Sequence, residues 1–205
     1  MIIAVDGPAA AGKGTIARAL ARHYGYHFLD TGSLYRMVGL AALRAGGEPI
    51  ASSTAIAAAR KLDPQDFADA ELRNEQVGGA ASVVAAIPEV RAALLELQRS
   101  FARKSPGAVL DRRDIGTVVC PDADAKLFIT ARAEVRARRR QTELGAADYE
   151  AVLADIRARD ERDSRRTAAP LLAAPDAVTL DTSEMDIAAA IAAAVRAVEA
   201  RRTGF

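Results

Sequence analysis

Gly7-Pro8-Ala9-Ala10-Ala11-Gly12-Lys13-Gly14-Thr15 is the stretch on which the fold turns. It fits the pattern G-x-x-x-x-G-K-[ST] once position 14 is allowed to be glycine and the hydroxyl falls one place later, on Thr15. Ile2–Asp6, just before it, is short, apolar and rich in β-branched residues. Just after it, Ile16, Ala17, Leu20 and Ala21 recur at helical spacing within Thr15–Tyr24. A glycine-rich loop between a strand and a helix encloses phosphate oxygens with successive backbone N–H groups and the helix N-terminus. In that setting Lys13 reaches β- and γ-phosphates, and Thr15 or a residue near it supports Mg²⁺.

The alternation continues outward. His27–Asp30 predicts a second strand ending in an acid, and Ser33–Ala45 a helix closed by Gly46-Gly47 and Pro49. The stretch 51–77 predicts a small helical excursion without a strand, ended by Gly78-Gly79. Ala80–Ala86 and Pro88–Arg103 read as helices, the second with an apolar stripe of Val90, Leu94, Leu97 and Phe101. Strands are expected at Ala108–Asp111, Ala125–Thr130 and Ala177–Leu180. Helices are expected at Ala133–Leu144, Ala147–Arg166 and Ser183–Arg201, the last with Ile187, Ile191, Val195 and Val198 on one side. Strands alternating with helices indicate an α/β domain with a parallel sheet.

The composition agrees. The chain has 205 residues, half of them hydrophobic and 27% charged, too apolar for disorder and too charged for a membrane bundle. Alanine makes up nearly one residue in four, and there is no Trp, so the core is built from small and aliphatic side chains. Lys+Arg 28 against Asp+Glu 27 leaves +1, which excludes a polybasic nucleic-acid coat. Cys120 is the single cysteine and His23 and His27 the only histidines, so neither a disulfide nor a Cys/His metal site is expected. The N-terminus opens on a strand with no basic segment before it, and no run of 18 strongly apolar residues occurs. A cytoplasmic protein is expected.

Several further blocks carry a resemblance. The loop ending Gly-Lys-Gly-Thr looks like that of the nucleoside monophosphate kinases. Leu29-Asp30-Thr31-Gly32-Ser33-Leu34-Tyr35-Arg36, Ala80-Ala81-Ser82 through Pro88-Glu89-Val90-Arg91, and Asp111-Arg112-Arg113-Asp114-Ile115-Gly116-Thr117-Val118-Val119 resemble the bacterial cytidylate kinases, as does Arg159-Asp160-Glu161-Arg162-Asp163-Ser164-Arg165-Arg166 running into Ala169-Pro170-Leu171. The likeness is collinear over nearly the whole chain. It implies an α/β P-loop nucleoside monophosphate kinase fold: a five-stranded parallel sheet with helices on both faces and small monophosphate-binding and lid lobes. Within one kinase domain, 1–30 with 85–138 and 149–205 would form the core, 31–84 the monophosphate-binding lobe and 139–148 the lid. The implied activity is transfer of the ATP γ-phosphoryl group to CMP or dCMP, with Mg²⁺, by a cytoplasmic monomer binding neither nucleic acid nor membrane. Residues 7–15 would hold ATP: Gly7, Pro8, Ala9, Ala10, Ala11, Gly12, Lys13, Gly14 and Thr15. The pyrimidine pocket would use Thr31, Tyr35, Arg36, Ser82, Arg91, Arg113 and Asp114, and the acceptor's sugar and phosphate Arg159, Asp163 and Arg166. Arg139 and Arg140 fall where the lid arginines lie.

The residues support much of this independently. Tyr35 and Arg36 follow a strand end, where open α/β sheets bind ligands. Arg36 offers a planar fork suited to a monophosphate, or is a surface arginine at a helix start. Arg91, on a first helical turn, is badly placed for the helix dipole unless an anion is bound. Ser82 alone reads as a tolerated small residue. Arg113 beside Asp114 offers a donor and an acceptor that match the O2 and N4 groups of cytosine; the alternative is that Asp114 caps the turn. Asp111 reads either as an acid supporting Mg²⁺ through water or as a core-edge hydrogen-bonding group. Arg159, Asp163 and Arg166 share one helical face, continuing that of Tyr149, Val152, Leu153 and Ile156. The run Arg136, Arg138, Arg139, Arg140 is short, lacks aromatics and is balanced by Glu134 and Glu143, which suits a lid better than nucleic acid.

Two departures from the family pattern stand out. Arg112 occupies a usual glycine, and is strained there if that glycine has positive φ. The stretch between Leu62 and Glu71 is shorter than in many relatives. With no nucleophile–base pair visible, direct in-line transfer is expected. A kinase for UMP, AMP or shikimate, or a nucleotide-sensing switch, would use the same loop.

Overall fold

β1 (Ile2–Asp6) is the middle strand of a five-stranded sheet of order β2-β3-β1-β4-β5, with β2 at His27–Asp30, β3 at Ala108–Arg112, β4 at Ala125–Thr130 and β5 at Val178–Asp181. These positions come from a computed structural model that describes residues 1–46, 49–63, 70–73, 75–145, 148–165 and 171–202. β1 pairs in parallel with β3 and β4, Ile3 lying opposite both Val109 and Ala125, and β4 pairs in parallel with β5. This is the parallel sheet expected from the alternating pattern.

Near-continuous apolar strands belong in a sheet covered on both faces. On one face Ile3, Val5, Val109, Leu127 and Ile129 pack with Ile16, Ala17 and Leu20 of α1 (Lys13–Tyr24) and with Ala190, Ala194 and Val198 of the C-terminal helix, Ile187–Arg202. Ala4 and Leu110, alternating onto the other face, are equally buried at 0% exposure. Each large aliphatic side chain withdrawn from water here contributes roughly 1.5–3 kcal/mol.

The chain forms two compact units, residues 1–29 with 102–205, and residues 30–101. The second unit contains α2 (Thr31–Gly46), α3 (Ser52–Arg60), a 3₁₀ turn at Glu71–Arg73, α4 (Glu75–Val84) and most of α5 (Pro88–Ala102). Among the described residues of 51–77 there is no strand, as expected. The glycine pair at 78–79 does not end the excursion, however; α4 runs straight through it. Packing overrides propensity here. At Gly39 of α2 an added Cβ would sit 2.9 Å from the Ala81 backbone nitrogen, so α2 and α4 approach closely through small residues.

The remaining helices are α6 (Ala133–Leu144), α7 (Tyr149–Ser164) and α8 (Ile187–Arg202). α2 begins at Thr31 rather than Ser33, because Asp30 accepts from the Gly32 N–H (2.8 Å) and turns the chain directly from strand to helix. α8 starts later than expected, and Ile187 is 68% exposed; its buried face is Ala190, Ala194 and Val198. A π-helical turn at Ile115–Val119 had no signal in the sequence. Arg112 closes β3 without strain, since Ala10 is the only non-glycine residue with positive φ among the described residues. Ala147, Arg166 and Ala169-Pro170 lie outside the described residues, as do positions 64–69 of the shortened segment.

Candidate active site

The loop after β1 leaves at Gly7 with φ 143°, where an added Cβ would stand 1.9 Å from the Ile129 carbonyl oxygen of β4. Only glycine lets the chain pass so close to that strand. Ala10 (φ 57°) and Gly12 (φ 89°) continue the curl. For alanine this conformation costs on the order of 1–2 kcal/mol. Gly12 caps α1 with no side-chain hydrogen bond, and the first turn carries no acid. The N–H groups that open a helix and the positive end of its dipole therefore favour an anion here. A Cβ built on Gly12 would meet nothing within 4 Å, which leaves the mouth of the cradle open. Lys13 Nζ donates across the loop to the Pro8 carbonyl (2.7 Å).

Thr15 is exposed in the first turn of α1, and Asp111 is buried (6% exposed) one residue before the end of β3. A Cβ on Gly14 would be 3.6 Å from Asp111 Oδ2, so the carboxylate sits against the loop. One hydroxyl and one carboxylate beside a phosphate cradle suit Mg²⁺, which retains water and takes phosphate oxygens as further ligands. Among the described residues no cluster of three or more His, Cys, Asp or Glu side chains forms a separate metal site.

Asp6, the last residue of β1, was not singled out by its sequence position. It is 4% exposed and accepts from the backbone N–H groups of Ile115 (2.8 Å) and Gly116 (2.7 Å). Burial raises its pKa from 3.8 to about 6, helped by the nearby Asp114 charge and opposed by the two N–H groups and Lys13. Between those two values the folded chain holds a proton that the unfolded chain has lost. Stability should therefore fall as pH rises from about 4 to about 6 and level off above, by a total on the order of 3 kcal/mol. Urea unfolding across this window, compared with Asp6→Asn, is the check. Parallel pH profiles for parent and variant would remove Asp6 as the source.

α6 and α7 form an apolar seam of Ala137, Val152, Leu153 and Ile156, against which Ala10 of the loop packs. Arg136, only 4% exposed, donates to the Ala131 carbonyl (2.8 Å), the Ala9 carbonyl (3.2 Å) and both oxygens of Asp160 (2.9 and 2.5 Å). Of the two expected lid arginines, Arg139 donates to Thr182, at the carbonyl (2.7 Å) and Oγ1 (3.1 Å). Arg140 pairs with Glu143 on the surface at 3.1 Å. Arg139, Thr182, Gly12, Thr15, Met185 and Ile187 line a cavity of about 580 Å³ beside the loop. The exposure of Ile187 is thus explained: it presents an apolar wall rather than core.

The residues expected at the acceptor are placed as follows. Arg113 Nε forms a close ion pair with Asp163 of α7, whose side chain is 2% exposed. Two groups that were read separately, one after β3 and one on α7, therefore meet. Asp114 is 3% exposed and opens the π-helical turn, its carbonyl accepting from Val118 and Val119 (2.9 and 3.1 Å); its side chain makes no capping hydrogen bond. Arg159 is partly buried on the same helix as Asp163. In the second unit Thr31 and Tyr35 are buried at 0% and 3% exposure. Arg36 donates to the Leu72 carbonyl (2.7 Å) with Gly78 leaving room beside its guanidinium. Ser82 Oγ donates to the Gly78 carbonyl (3.3 Å), and Arg91 is on the first turn of α5, its N–H bonded to the Ile87 carbonyl (3.1 Å).

Asp6, Arg136, Asp160 and Thr182 were missed as site residues. The only available hint was an acid directly before the glycine loop; the other three acquire their importance from partners far along the chain.

A model of the cytidylate kinase family matches residues 3–200. A cytidylate kinase of Xanthobacter autotrophicus is 60% identical over 208 residues, covering 100% of both chains. One from Rhodopseudomonas palustris strain BisB18 is 58% identical, covering 100% of this chain and 98% of its own. Among solved structures, a Thermus thermophilus protein superposes with a TM-score of 0.52 at 24% identity, covering 100% of this chain and 98% of that one. An uncharacterized protein from Eubacterium ventriosum gives 0.57 at 12%, covering 97% and 98%. At these identities the two structures speak to the fold alone.

Proposed function

The chain belongs to the cytidylate kinase family, whose members are ATP-dependent kinases, and on that premise we propose that it transfers the γ-phosphoryl group of ATP to CMP and dCMP by direct in-line displacement. The observation that carries the donor half is the curled loop from Gly7 to Thr15 closing on an uncapped helix N-terminus. Its N–H groups hold the β- and γ-phosphates, and Lys13 leaves the Pro8 carbonyl to follow the charge that develops on the transferring group. The cavity beside Ile187 and Thr182 takes the adenine ring, with Arg139 at its edge. Arg140 lies one residue on and serves the transferring phosphoryl oxygens once freed from Glu143. When bound, Mg²⁺ would be held by Thr15 and, through water, Asp111, and would supply neutralisation of phosphate charge.

An oxygen of the acceptor's own phosphate attacks, and ADP leaves. No protein nucleophile is required, so this chain's residues act by positioning and charge. Asp163 fixes Arg113 through Nε, leaving four Nη N–H donors for a carbonyl such as cytosine O2. Asp114 accepts from the N4 amino group. Arg159 and Arg166 serve the acceptor's phosphate and sugar; Thr31, Tyr35, Arg36, Ser82 and Arg91 are assigned to the acceptor on the family pattern. A cytoplasmic monomer acting on small molecules is part of the same reading; no described helix is long and apolar enough to cross a membrane.

The test is an acceptor panel of CMP, dCMP, UMP, AMP and shikimate with ADP formation as readout. Turnover with CMP or dCMP at least about 10-fold faster than with the others is expected. ATP binding without acceptor-dependent ADP formation would overturn the reading in favour of a nucleotide sensor.

A further inference from the structure

The peptide between Ala9 and Ala10 is held from outside the loop. A trans peptide carries its C=O and its N–H on opposite sides, so whatever holds the Ala9 carbonyl also aims the Ala10 N–H. Arg136 holds that carbonyl. Three further donors go to the Ala131 carbonyl and, bidentately, to Asp160 of α7, so the guanidinium is fixed from three directions. Ala10, at positive φ where glycine would be at ease, has its methyl group seated on the α6–α7 seam. A buried cation with such a donor pattern, contacting loop and both helices, exceeds what closing a helical hairpin requires.

We infer that Arg136 and Asp160 are a positioning pair that braces the Ala9–Ala10 peptide of the phosphate loop, presetting the Ala10 N–H for the donor phosphates. Neither residue touches ATP in this role; both act through the loop. The pair also ties the loop to α7, the helix that carries Arg159 and Asp163, so donor cradle and acceptor groups share one support. The inference rests on the proposed use of the loop for ATP, but not on the identity of the acceptor.

Four variants test it: Arg136→Lys, Asp160→Asn, and each of these combined with Ala10→Gly. Lysine keeps the charge but cannot span the Ala9 carbonyl, the Ala131 carbonyl and two carboxylate oxygens together. Asparagine keeps the shape but turns an amide N–H₂ toward a guanidinium donor, and serves if the lysine variant does not fold. Affinity for Mg·ATP is measured by calorimetry with no acceptor present, alongside thermal unfolding. Each single variant is expected to bind ATP at least about 10-fold more weakly. Adding Ala10→Gly should recover threefold or more of that affinity, because glycine takes the loop's conformation unaided, while leaving the melting temperature unrecovered. ATP affinity within threefold of the parent in a folded single variant would overturn the inference, as would a loss that Ala10→Gly fails to restore. If the parent itself binds no ATP, the donor reading fails instead, and the two failures are told apart.

Discussion

Replacing Lys13 with alanine is expected to slow phosphoryl transfer by at least about 100-fold while the protein stays folded. The side chain rises from the first residue of α1 and reaches back over the loop to the Pro8 carbonyl. That bond joins two parts of the same short loop, and a hydrogen bond of this kind contributes only about 1 kcal/mol net. Its loss leaves the sheet and the α1–α8 packing untouched, so circular dichroism and the unfolding midpoint should change little. On the proposed reaction the ammonium, the one cation of the loop, would meet charge that grows as the γ-phosphoryl group moves. Deleting such a group from a water-poor site typically costs several kcal/mol of transition-state stabilisation. Steady-state ADP release with CMP is the measurement. Activity within threefold of the parent would detach this loop from the chemistry.

Asp114→Asn is expected to lower kcat/KM for CMP and to narrow the ratio of CMP to UMP use by roughly 10-fold or more. A buried carboxylate accepts but cannot donate; cytosine offers it the N4 amino group, whereas uracil brings an O4 oxygen that repels it. Leaving such a pair unsatisfied costs about 1–3 kcal/mol. An asparagine amide can turn its N–H₂ toward O4 and relieve the mismatch. The competing account, in which Asp114 serves the turn, loses ground because its side chain makes no capping bond there; the backbone carbonyl holds Val118 and Val119 instead. That account predicts lower stability with the ratio unchanged. Kinetics with both nucleotides on one folded preparation decide between the two, and an unchanged ratio would refute base reading even if total activity fell.

What was legible from residue order was what is local. The glycine loop, its flanking strand and helix, and the succession of apolar runs each occupy contiguous residues, and their periodicities reflect backbone geometry that holds in any context. From these the parallel sheet and the curled glycine loop between β1 and α1 followed directly. The blocks around Arg113 and Arg159 carried a family likeness, and the match over residues 3–200 bears that out.

Other features depended on which distant surfaces meet. Glycine propensity argued for a break at Gly78-Gly79, yet α4 is continuous, because small residues there let α2 pack at close range. Helical spacing put Ile187 on one side of the last helix with Ile191, Val195 and Val198, but the structure leaves it 68% exposed on the wall of the cavity beside the loop. Arg113 and Asp163 read as separate ligand contacts until α7 brought them into one ion pair. Asp6 looked like the end of a strand and Arg136 like one basic residue in a run. Burial and the geometry of their partners make the first a titrating acid near pH 6 and the second the support of the loop. Desolvation and pairing are properties of the space around a side chain, and that space exists only once the sheet has brought residues from opposite ends of the chain together.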